Sequence, residues 1–176
     1  MHCVTTESLL LTLAALDDAG RVPGDRIEHG ALIPGALLED GRLHGLVVVT
    51  QPGFLADRGD DYLARVDPRD HDCLYRYGTL LVAGVEVWPS SDAPYGPVDP
   101  WQVIAAARDR QTPAAAVIAA ADAVPAATTL AGYPRAADGT ARRLAIGAPA
   151  ELCLLRVGLD EALADPVADV VRGTYR

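Results

Sequence analysis

The order of the apolar segments constrains this chain more than any other feature. Leu9, Leu10, Leu13 and Leu16 fall at helical spacing, behind a threonine cap at Thr5 or Thr6 and ahead of Gly20. A short strand follows over residues 25–30, then a short helix from Pro34 towards Gly41. The β-branched run at 46–51 predicts a buried strand, stopped by Pro52. Residues 53–70 are rich in Asp and Arg and read as an inserted loop, and a helix is predicted over 71–83. Residues 85–88 make the next strand, and Asp99 and Pro100 open a helix over 101–110. A strand interrupted by the start of the chain completes a series of four strand–helix units. Such a series predicts parallel strands with right-handed crossovers. The fold class is α/β, either half of an eightfold barrel or part of an open doubly wound sheet.

Beyond Gln111 the texture changes. Ala-rich helical stretches are expected to about Ala121 and from Pro125 to near Gly132. Residues 133–143 form a polar turn region, 151–155 a short apolar strand, and 167–171 a further strand with no evident partner.

Composition excludes several classes. The formal charge of −9 repels phosphate backbones and argues against a nucleic-acid partner. Three cysteines without motif spacing predict free thiols in a reducing, cytoplasmic setting. No signal-peptide pattern or membrane-spanning run is visible. All fifteen basic residues are arginines.

Four histidines can be weighed for chemistry. His29 ends a predicted strand and His2 precedes the first helix, so parallel pairing puts both on the C-terminal rim, the catalytic face of a barrel. Asp92 follows the 85–88 strand at the same level. Two imidazoles and a carboxylate on one rim suit a divalent metal with an activated water, the carboxylate accepting its proton. Ser90-Ser-Asp-Ala-Pro94 is equally a turn sequence, so turn residue and catalytic base both remain open for Asp92. His44 and His71 read as solvated. Glu28 should point away from His29 in an extended strand, and Cys3 reads as a packing residue.

The runs Arg26-Ile-Glu-His29, Ser90-Ser-Asp-Ala-Pro94 and Gly147-Ala-Pro-Ala-Glu-Leu152 resemble the C-terminal part of the metal-dependent amidohydrolase superfamily, of the amidohydrolase family 3 type. Gln51-Pro52 and Asp99-Pro100-Trp101 fit the same group, so the resemblance runs in order along nearly the whole chain. It implies the C-terminal half of a TIM-like (β/α)8 barrel, followed by helices and a short partial β-sandwich segment. Residues 1–132 would be the half barrel with trailing helices, and 133–176 the return into the sandwich. By the same resemblance His2 and His29 are metal-ligand histidines after the fifth and sixth strands. Asp92 is the general base after the eighth, often touching the metal, which is expected to be zinc. The implied reaction is hydrolysis of an amide or related C–N bond by metal-activated water.

The family's His-x-His pair is absent, and without lysine the chain cannot supply the carboxylated lysine that bridges metals in that family. The expectation is therefore a truncated fragment, inactive or weakly active alone, with its substrate undetermined. A non-catalytic binding or assembly module derived from the barrel is the alternative from another class. An open sheet binding a small ligand is a third, weakened by the lack of a Gly-rich phosphate loop. Exposed strand edges and an uncovered interior predict self-association of the isolated chain through the open side. Sedimentation should show oligomers, and a monodisperse monomer with a cooperative melt would count against the prediction.

Overall fold

A computed structural model describes residues 1–133 and 142–175. Its centre is a four-stranded sheet of β1 (His2–Cys3), β2 (Arg26–His29), β3 (Val47–Thr50) and β4 (Glu86–Pro89), in sequence order and parallel throughout. This is the parallel α/β arrangement expected from the alternating segments, and it matches part of an α/β barrel.

Helix α1 (Thr6–Ala19) starts where its cap predicts. Thr5 Oγ1 accepts from the Ser8 amide at 3.2 Å and Ser8 Oγ accepts from the Thr5 amide at 3.1 Å, a reciprocal capping box. Leu9 and Leu13 on this helix are fully buried against Ile27, Val48 and Val87, the residues that face outward from the strands. Burial of each such side chain stabilises the fold by roughly 1.5–3 kcal/mol. The opposite sheet face is mixed, with buried Val47 and Val49 between charged and aromatic neighbours. Arg26 pairs with Glu28 at 2.7 Å and lies 5.9 Å from the Trp88 ring centre, and Trp88 Nε1 donates to Glu86 at 3.0 Å. Short helix α2 (Gly35–Glu39) follows β2 as expected.

Residues 53–70 are not a loop. They form α3 (Gly53–Arg65) and then a 3₁₀ turn over Pro68–Cys73. Phe54, Leu55, Gly59, Tyr62, Leu63 and Val66 recur at helical spacing and lie on the packed side, while Asp57, Asp60, Asp61 and Arg65 take the wet side. Charge content masked an amphipathic period. The single helix expected over 71–83 is likewise divided: α4 spans Tyr77–Val82 only, because Tyr75 takes a left-handed backbone with φ 46°. Leu74, just before it, bridges to Leu32.

Helix α5 (Pro100–Asp109) is capped by Asp99, whose carboxylate accepts from the Trp101 amide at 2.9 Å. The Ala-rich stretch after it is not helical. Ala115 and Ala119 have positive φ, and Thr112 and Ile118 are drawn into backbone hydrogen bonds with Ala116 and Arg110. Only Ala120–Asp122 makes a 3₁₀ turn, before α6 (Ala126–Ala131). Tertiary hydrogen bonding overrides the helical propensity of alanine here.

Most of the turn region expected at 133–143 lies outside the described residues. Beyond it, β5 (Leu152–Leu155) pairs antiparallel with β6 (Val171–Tyr175), so the final strand does have a partner, and it lies later than the sequence suggested. Helix α7 (Leu159–Ala164) between them buries Ala162 against Trp101 and Ile104 of α5. Among the described residues no helix is long and apolar enough to cross a membrane, and all three cysteines are free thiols.

Arg110 caps α5 in a left-handed conformation and is wholly buried. Its guanidinium donates to the carbonyls of Ile118 (2.8 Å), Tyr75 (3.0 Å) and Leu74 (2.8 Å). Burial pulls its pKa down to about 10, opposed by the charge of Asp122. Removing it orphans the carbonyls of Ile118 and Leu74, takes one of two donors from that of Tyr75, and leaves a cavity. Arg110→Ala should lower the unfolding free energy by about 3 kcal/mol or more, at roughly 1–3 kcal/mol per unsatisfied buried group. Urea unfolding followed by circular dichroism checks this, and a loss under about 1 kcal/mol, the net worth of one ordinary hydrogen bond, would refute it.

Candidate functional site

Parallel pairing puts the C-terminal ends of all four strands on one rim. The register pairs His2 with Glu28 and Cys3 with His29. Strict alternation would therefore aim His2 and His29 to opposite faces, with Glu28 on the side of His2. His29 breaks the alternation because its backbone is left-handed, with φ 72°. A non-glycine residue in this region is held there by its surroundings. Gly30 follows with φ 52°, and a Cβ on it would lie 3.0 Å from Ile33 Cδ1 and 3.1 Å from Val48 Cγ1. The tight turn swings the His29 ring onto His2.

The result is a close imidazole pair. His29 Nε2 lies 3.0 Å from His2 Nδ1, the ring centres are 4.3 Å apart, and the planes meet at 70°. His29 is 6 % exposed, whereas His2 is open to solvent. His29 Nδ1 is buried with no hydrogen-bond partner. Whichever tautomer forms the pair, that atom is left either as an N–H without an acceptor or as a bare acceptor. Two further buried orphans, Thr50 Oγ1 and Gln51 Oε1, sit at the end of β3 on the same rim. Buried polar atoms without partners are uncommon in folded proteins, and three at one rim mark it as built for more than packing.

Asp92 also has a left-handed backbone, φ 53°, and its amide donates to Ser90 Oγ at 3.2 Å. Its own carboxylate lines the cavity that holds the histidine pair, a space of about 400 Å³. His2, His29 and Asp92 thus share one cavity. Among the described residues, however, no group of three His, Cys, Asp or Glu side chains stands close enough together to hold a metal ion. The tight contact is between the two histidines.

The other histidines are tied elsewhere. His44 Nε2 bonds the carbonyl of Ala83 at 2.9 Å, and His71 Nε2 that of Val66 at 3.0 Å, so neither is simply solvated. Cys3 is buried, its Sγ 3.3 Å from Thr12 Oγ1, in keeping with packing.

The aromatic wall of the cavity was not apparent from the sequence. The Phe54 ring stacks on His29 at 6.4 Å and meets Tyr75 edge-on at 6.0 Å. Tyr75 Oη lies 3.4 Å from Tyr62 Oη, and burial together with this hydrogen bond drives the Tyr75 pKa far above its ordinary value, so the phenol stays protonated. Arg58 lies 4.7 Å from the Phe54 ring centre. The apolar period of 53–66 was the available signal, since Phe54, Arg58 and Tyr62 are spaced four apart on one helix.

The sequence pattern of the amidohydrolase family matches residues 2–176, and the chain belongs to that family. Two solved structures are similar: an uncharacterized metal-dependent hydrolase from Pyrococcus horikoshii OT3, with TM-score 0.64 and 27 % identity, and one from Pyrococcus furiosus, with TM-score 0.62 and 27 % identity. Each similarity covers 75 % of this chain but only 27 % and 26 % of those proteins, so the chain spans about a quarter of their length. No curated protein matches.

The turn at His29–Gly30 yields a prediction. Gly30→Val adds a β-branched side chain at positive φ and crowds Ile33 and Val48, at a backbone cost on the order of 1–2 kcal/mol. The variant should lose the histidine contact, read as a change in the His2 and His29 imidazole NMR resonances. Unchanged imidazole shifts in a folded Gly30→Val protein would show that the turn does not set the pair.

Proposed function

We propose that this chain supplies part of the metal centre of a hydrolase acting on an amide or related C–N bond. The observation that carries the reading is the 3.0 Å approach of His2 Nδ1 to His29 Nε2 on the C-terminal rim. Two nitrogens bound to one tetrahedral zinc at about 2.0–2.1 Å stand roughly 3.3 Å apart, so the observed spacing lies within a few tenths of an ångström of a shared cation.

His2 and His29 would hold the cation, which we assign as zinc from the imidazole donors. When bound, such a cation lowers the pKa of a water and polarises the scissile carbonyl. Asp92 accepts the proton of the attacking water and returns it to the leaving nitrogen. Phe54 and Tyr75 exclude solvent from one side of the reacting groups. Two imidazoles hold a cation weakly, so the 176-residue chain alone is expected to hydrolyse slowly or not at all. The wider architecture we assign is the C-terminal half of a (β/α)8 barrel, with β5 and β6 belonging to a small β-sandwich. The edges of β1 and β4, which have no strand neighbour among the described residues, are the route for self-association.

A non-catalytic binding module remains the competing function, and metal uptake separates the two. Zinc titration of the purified chain should show a site lost in both His2→Ala and His29→Ala. Truncating either ligand should weaken affinity about tenfold or more, by analogy with the effect of losing even an outer-shell partner. Uptake equal to wild type in both variants would remove the metal-centre reading. Asp92→Asn should leave uptake nearly unchanged while abolishing any hydrolysis the loaded protein shows.

A further inference from the structure

The cavity that holds the histidine pair also carries a group that the hydrolytic reading does not use. Among the described residues lining the cavity, Arg58 alone bears a fixed positive charge. Three contacts hold its guanidinium in place. It lies over the Phe54 ring, its Nε donates to Asp57 Oδ2 at 2.9 Å, and its Nη2 donates to the carbonyl of Tyr95. Nη1 makes none of these bonds. The Asp57 pair is partly open to solvent, with side chains 40 % and 53 % exposed, so it is a weak pair that leaves the guanidinium able to meet a second carboxylate. The rest of the wall is apolar or aromatic: Leu32, Val66, Leu74 and Tyr75. Tyr75, hydrogen-bonded to Tyr62, remains a neutral phenol and sets no repelling charge against an anion.

From this arrangement we propose that Arg58 determines specificity, selecting substrates that carry a carboxylate beside an apolar or aromatic group. A planar guanidinium fixed by other contacts recognises a carboxylate with little loss of side-chain entropy. The apolar group fills the space along Leu32, Val66 and Leu74. Asp92 repels a second anionic group near the histidines, so the neutral amide is directed to the reacting side and the carboxylate to Arg58. The inference rests on the hydrolase reading of the same cavity, but its test does not require metal or turnover.

The experiment is calorimetric titration of the metal-free 176-residue chain with 3-phenylpropanoate and with its neutral counterpart, 3-phenylpropanamide. The acid should bind about 10- to 100-fold more tightly, as expected for a charge-assisted hydrogen bond. Arg58→Gln should erase the preference and leave amide binding unchanged, and Arg58→Lys should restore part of it. Equal affinity of the two probes for the wild-type chain, or no binding of either, overturns the proposal. So does an Arg58→Gln protein that keeps the preference, because Arg58 would then serve only to anchor Tyr95 and Phe54. The comparison of two probes on the wild-type chain stands even if the variants fold poorly. A missing carboxylate preference alongside intact zinc uptake would reject the Arg58 assignment alone, and the reverse result would reject the metal centre alone.

Discussion

Parallel pairing of β1 to β4 is the constraint on which the site depends. Once strands run the same way, their crossovers must occupy the outer face, and their C-terminal ends must share a rim. Residues 25 or more positions apart, such as His2 and His29, are then neighbours by topology alone. Topology does not make them touch. The register sets His2 beside Glu28, and the alternation of an extended strand would leave His29 pointing away. The left-handed backbone at His29 converts rim neighbours into a pair. Gly30 sustains the turn because its positive φ disfavours a Cβ, and one placed there would crowd Ile33 and Val48.

Another part of the cavity lining is held by a separate device. Leu74 and Tyr75 lie in an irregular segment between a 3₁₀ turn and α4, where carbonyl groups have no helix or sheet to satisfy them. The Arg110 guanidinium reaches in from the end of α5 and donates to both carbonyls and to that of Ile118. A buried guanidinium is expensive to desolvate, and its five donors justify the position only because three carbonyls surround it, two of them with no other donor. The cavity therefore has one wall set by strand topology and another set by a buried cation some 35 residues along the chain from its targets.

Parts of this were legible in the sequence for identifiable reasons. The four strands and α1 carry period and cap signals that act locally: Thr5, Asp99 and the valine run at 47–49 specify structure within a few residues of themselves. The histidines were legible as rim residues because parallel order follows from the alternation of elements. Three features were hidden. Helix α3 was obscured by its charged face, since Asp57, Arg58, Asp60 and Asp61 dominate its composition while its apolar period is carried by only a few residues. The non-helical path after Gln111 depends on hydrogen bonds to Arg110 and Thr112 that alanine propensity cannot reveal. The fate of His29 depends on one backbone torsion, for which a His–Gly dipeptide is a hint but not a specification.

The hidden features are also those nearest the chemistry. His29, Tyr75 and Asp92 all line the cavity, and all three have positive φ without being glycine. Such conformations cost of order 1–3 kcal/mol each and persist only where surrounding structure over-determines them. The sequence marks His29 and Asp92 as rim candidates without fixing their torsions, and it passes over Tyr75, where local propensity gives no sign of positive φ. The orphaned polar atoms of His29, Thr50 and Gln51 follow the same logic, since each forgoes a hydrogen bond that a purely structural position would make. Strain at three backbones and unmet valence at one rim both oppose folding. Both become intelligible if the rim's polar groups are oriented towards a bound ligand rather than towards one another.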